Sequence, residues 1–165
     1  MRGALAFAVL AMIALLLQTT VLPRAPIGRA APDLLLIMCV YLGLHQHSVS
    51  GAAGAFVLGY LEDAFSGSVA GLNAFAMCVV FAIVYITSRR LWVDNAISKI
   101  VLVFLATIVK AALTLALVAI FMSPERWRAP LLSGALLQAT FTAIISPFVF
   151  AILTRTLQPV EEEEE

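Results

Sequence analysis

Apolar residues in this chain come in runs of about 20, separated by short polar or proline-rich segments, and that length is what a helix needs to cross a hydrocarbon core. Gly3 to Leu22 is the first run and is expected to stay as an uncleaved span. A secretory signal peptide is the alternative, since GRAAP near Ala31 loosely resembles a cleavage site, but the run is longer than a typical h-region. Gln18, Thr19 and Thr20 near its end are placed to bond neighbouring helices or headgroups. Pro23 to Pro32, with its prolines, arginines and glycine, reads as a surface loop. Pro32-Asp33 then opens a helix with an acid near its positive end, followed by the short core LLLIMCVYLGL.

His45, Gln46 and His47 interrupt that core, and the next run, Ser50 to Phe65, carries Glu62 and Asp63. These two segments are predicted to be short crossing helices or a re-entrant hairpin shielded by other helices, with the same parity either way. Ser68 to Ser88 is a clean span ending at Arg89-Arg90. After the connector LWVDNAIS, Lys99 to Met122 is another, with Lys110 near its middle. The interfacial loop SPERWRAP, with Trp127, precedes a last span from Leu131 to Leu153, in which Ser146-Pro147 predicts a kink. The pattern predicts an all-α integral membrane protein of about six transmembrane helices, the second and third short or partly re-entrant.

Composition narrows what such a chain can do. It has 165 residues, of which 62% are hydrophobic and 12% charged, and a mean hydropathy of +1.04, well outside the range of soluble domains. A single polytopic domain over residues 1–160 leaves no room for a soluble catalytic domain, so function must come from helices and short loops. The five glutamates at 161–165 form a solvated tail or an appended remnant. Net charge is zero, and the basic residues form no stripe, which excludes a nucleic-acid partner. Cys39 and Cys78 lie inside apolar runs without metal or disulfide spacing. With the N-terminus inside, Arg2, Arg89, Arg90, Lys99 and Arg155 face the cytoplasm, and Arg24, Arg29, Arg126 and Arg128 face outward. The imbalance is slight, and the Arg89-Arg90 pair decides it, placing both termini in the cytoplasm.

The stretch GAAGAFVLGYLEDAFSGSVAGLN, Gly51 to Asn73, concentrates the candidate chemistry. Gly51, Ala55, Gly59 and Asp63 are spaced by four, so on a helix they form one stripe of small residues ending in a carboxylate, suited to close packing against another helix or a partner. Glu62, Asp63, Asn73 and Lys110 are polar groups within apolar sequence and so are candidate buried or pocket residues. Lys110 at mid-span must pair, deprotonate or reach water, and Glu62 or Asp63 is its natural partner. The pair reads either as a ligand or proton site or as an ion pair that fixes helix register.

Glu62 and Asp63 point about 100 degrees apart on a helix, which argues against paired-carboxylate catalysis. Asn73 is placed either to donate to one of the acids or to cap a helix. His45 and His47 have two-ligand spacing but no third ligand nearby, so interfacial histidines are the simpler reading and no metal or other cofactor is expected. GxSxG, HExxH, Walker A and GxGxxG are absent.

Four features together resemble the rod shape-determining MreD family: Gln18-Thr19 closing the first span, PDLLL from Pro32 to Leu36, GAFVLGYLED from Gly54 to Asp63, and SGSVAGLN from Ser66 to Asn73. The resemblance covers the chain to about Arg90, so the reading of Lys110 owes nothing to it. It implies a non-enzymatic scaffold of the cell-elongation machinery in the bacterial inner membrane. Such a protein binds MreC and is linked through it to MreB, RodA and RodA's transpeptidase partner. MreC's single span would dock on an exposed part of the stripe, so that Gly59→Leu weakens the complex without preventing insertion. The family also looks like the substrate-binding S-components of energy-coupling-factor transporters, which makes a small-molecule binder the second reading. A membrane enzyme is the third, disfavoured for want of a convergent nucleophile, base and acid.

Overall fold

The computed structural model describes residues 2–21, 31–46, 49–66, 71–90, 95–121 and 128–157. All of its elements are helical: α1 (Arg2–Leu16), continued by a π-helical turn (Leu17–Val21), then α2 (Leu34–His45), α3 (Val49–Ser66), α4 (Leu72–Arg90), α5 (Ala96–Phe121) and α6 (Arg128–Leu157). Stretches long and apolar enough to cross a membrane occur in α4, α5 and α6, while α1 and α2 are apolar but shorter. The chain is a multi-pass helical membrane protein.

The shortest helix is the core. α2 has 12 residues and rises about 18 Å, short of a hydrocarbon thickness of roughly 30 Å. Every residue from Leu35 to Gly43 is buried, because α1, α3, α4, α5 and α6 all pack against it. A helix this short would leave its terminal N–H and C=O groups facing lipid unless protein surrounds them, and enclosure by protein also removes the need to match the bilayer.

Contacts along α2 fix the direction of its neighbours. Leu42 packs on Gly54, so α3 returns antiparallel. Cys39 Sγ donates to the Met77 carbonyl at 3.4 Å and Ser88 Oγ to that of Gly43 at 3.4 Å, so α4 runs parallel to α2. Asp33 N donates to Thr142 Oγ1 at 3.0 Å, and the Tyr41 and Phe150 rings lie 5.8 Å apart, which makes α6 parallel as well. Gln18 reaches Asp33, so α1 is antiparallel. The α2–α3 pair thus lies alongside α4, and the start of α1 and the end of α6 share the end of the bundle that holds His45.

The proline in α6 does not end the helix, which is continuous from Arg128 to Leu157. Pro147 has no N–H for the carbonyl of Ala143, but Ser146 Oγ donates to that oxygen at 2.7 Å. The residue that precedes the proline therefore satisfies the acceptor that the proline leaves open.

Candidate functional site

α2, α3 and α4 begin or end at one level, and their polar residues meet there. Asp33 is the N-cap of α2: its Oδ1 accepts from Leu36 N at 2.9 Å and from Gln18 Nε2 at 3.3 Å. Its other oxygen faces Lys110 of α5, whose Nζ lies 2.5 Å from Asp33 Oδ2 and 2.7 Å from each Glu62 oxygen. Asp33 and Lys110 are buried, and the Glu62 side chain keeps 24% of its exposure. An ammonium that makes three charge-assisted bonds can remain within an apolar bundle, where a lone one would be strongly disfavoured.

Of the two acids expected as Lys110's natural partner, Glu62 fills that role and Asp63 is directed elsewhere. One residue on from Glu62, it points toward α4. Its oxygens accept from Gly71 N at 2.9 Å, Asn73 N at 3.0 Å and Ala74 N at 3.1 Å. The first turn of a helix presents such unbonded N–H groups with partial positive charge, so Asp63 caps α4 from another helix. Asn73 contributes its backbone N–H to this cap, one position inside the helix. Gly71 precedes α4 with a φ of +95°, which a side chain would strain.

The small-residue stripe is covered within the chain. A Cβ on Gly59 would lie 2.5 Å from Ala74 Cα and 2.7 Å from the Asn73 carbonyl, and one on Gly51 would lie 3.0 Å from Phe81. Ala55, between them, has no exposure. With α4 seated on this face, Gly59→Leu would strike the α3–α4 contact, which is the helix-packing alternative for this stripe. The close approach at Gly59 is also what brings Asp63 within reach of the α4 amides.

A cleft of about 360 Å³ lies beside the ion cluster, between α1, the start of α2, α3 and α6. Gln18, Thr19, Asp33, Glu62 and Gln138 supply its polar lining, with Leu15 and Phe65 among the apolar residues. Of the residues singled out from sequence, Glu62 lines this cleft and pairs with Lys110, while Asp63 and Asn73 lie at the cap. Asp33, read only as a helix-start acid, is the partner that was missed. The signal was available: the apolar part of the chain holds just three acids, Asp33, Glu62 and Asp63, for its one mid-span lysine.

His45 stacks on Tyr41 with centroids 4.1 Å apart, and its Nδ1 lies 3.1 Å from the Tyr41 carbonyl. His47, the Arg24 to Arg29 loop, Trp127 and the glutamate tail lie outside the described residues. No group of three metal-ligating side chains occurs among the described residues.

The family model described as rod shape-determining protein MreD matches residues 1–156. No curated protein and no solved structure matches.

Proposed function

This chain belongs to the MreD family of rod shape-determining membrane proteins, and from that we propose that it is a non-enzymatic scaffold of the bacterial cell-elongation machinery. It sits in the inner membrane with both termini in the cytoplasm, binds MreC, and through MreC connects to MreB, RodA and RodA's transpeptidase partner. The family match over residues 1–156 carries the reading.

The way the polar groups are engaged supports it. Asp63 holds helix amides and Asp33 holds α2, while Lys110 ties α5 to both α2 and α3. These bonds tie α2, α3, α4 and α5 to one another, which suits a scaffold. Because α4 covers the Gly59 face, MreC's span docks instead on the exposed part of α3, where Phe56 and Tyr60 are stacked and are 52% and 55% exposed. Aromatic side chains of this kind carry much of the energy of an interface.

Co-expression with MreC from the same genome, followed by detergent extraction, tests the proposal. A stoichiometric complex is expected, and Phe56→Ala with Tyr60→Ala should lower the recovery of MreC at unchanged thermal stability. A folded, monodisperse protein that leaves MreC behind would overturn the scaffold reading. A complex indifferent to the double substitution would move the contact off α3.

A further inference from the structure

We infer that the cleft beside Asp33, Glu62 and Lys110 binds the ammonium headgroup of an aminophospholipid, whose acyl chains lie against the outer portions of α5 and α6. The first ground is the balance of hydrogen-bonding groups. A lysine ammonium has three donors, and Lys110 directs its Nζ at one Asp33 oxygen and two Glu62 oxygens. Gln18 has two amide hydrogens, and its Nε2 faces the Pro32 carbonyl and Asp33. The Thr19 hydroxyl donates to the Leu15 carbonyl at 2.9 Å.

What these groups still offer the cleft is acceptors: lone pairs on Glu62, on Thr19 Oγ1 and on the Gln18 carbonyl oxygen. Gln138 is the lining side chain left with donors of its own. Two carboxylates around one ammonium also carry a formal charge of −1. A ligand that brings N–H donors and positive charge complements this lining; an anionic group does not, since the cation beside it among the described residues, Lys110, is buried and fully engaged.

The second ground is depth. Lys110 is level with the ends of α2 and α3, yet α5 runs on for 11 more residues to Phe121, about 16 Å of helix. α6 likewise extends about 15 Å beyond Gln138 toward Arg128. The continuing segment of α5, AALTLALVAIF, is apolar, and Ile120, Leu136 and Leu137 on the two helices are 74%, 60% and 56% exposed. Among the described residues, the polar cleft therefore opens beside apolar helix surface well below the outer ends of the bundle. A soluble amine matches the cleft alone, whereas an amphiphile matches both surfaces. The volume of about 360 Å³ is within the range of small-ligand sites.

Native mass spectrometry of the purified protein, offered equimolar phosphatidylethanolamine, phosphatidylcholine and phosphatidylglycerol of one chain length, tests this. Phosphatidylethanolamine should be retained first. Phosphatidylcholine, which is cationic at nitrogen but lacks N–H donors, should follow, and phosphatidylglycerol should come last. Glu62→Gln, which keeps the Lys110–Asp33 pair, should lower the preference for phosphatidylethanolamine about tenfold, the usual consequence of losing a charged hydrogen-bond partner. Excess soluble phosphoethanolamine should fail to displace the lipid.

Equal or preferred retention of phosphatidylglycerol by the wild-type protein would overturn the inference, and that comparison needs no variant. An unchanged preference in folded Glu62→Gln, or displacement by phosphoethanolamine, would overturn it as well.

Discussion

At Gly59 the space for a single methyl decides how two helices meet. A Cβ there would sit 2.5 Å from a backbone carbon of α4, which cannot yield as a flexible side chain would. Gly59→Ala should therefore destabilise the protein by about 1–3 kcal/mol through overpacking, read as a lower midpoint of thermal unfolding in detergent. The same substitution at Gly3, which has nothing within 4 Å, should have little effect. Asp63 makes a separate prediction. Replacing it with alanine leaves the N–H groups of Gly71, Asn73 and Ala74 without their acceptor, at a cost of about 1–2 kcal/mol. Hydrogen exchange should quicken at those amides first, with α5 and α6 unaffected.

At the scale of elements, Lys110 is the tie between α5 and the α2–α3 pair. Lys110→Met leaves Asp33 and Glu62 facing each other, and the cost should be about 3–5 kcal/mol, as for other buried pairs broken from one side. Adding Asp33→Asn and Glu62→Gln should restore most of that loss, because asparagine still caps α2 and no charge is left without a partner. Thermal unfolding of the single and triple variants separates the two outcomes. A triple variant no more stable than Lys110→Met would mean that the cluster contributes more than relief of its own burial. The sequence pattern made Lys110 conspicuous, but it favoured the acids in the small-residue helix and passed over Asp33, which begins a different one.

For the whole molecule, the directions of α1 and α6 relative to α2 place the start of α1 and the end of α6 at one end of the bundle. Single cysteines at Gly3 and Arg155, in a background with Cys39 and Cys78 replaced by alanine, should react with an impermeant thiol reagent only from the cytoplasmic side. One at Gly71 should react only from the opposite side. Labelling of Gly3 and Arg155 from different sides would contradict the even number of crossings.

The sequence alone determined the class and its outline. Apolar runs of bilayer length are required wherever backbone N–H groups must bond within their own segment, so helix number and approximate boundaries could be read in one dimension. The family was legible as well, because its motifs are local. The interval of four in Gly51, Ala55, Gly59 and Asp63 likewise marked a close helix contact.

Only the tertiary structure decided what touched that stripe and which acid met which donor. Adjacent residues on a helix face different neighbours, so Glu62 turns to α5 while Asp63 turns to α4. The shortness of α2 had the same kind of cause. A helix enclosed on every side by others need not span the bilayer, and enclosure is a property of packing that periodicity along one segment does not carry.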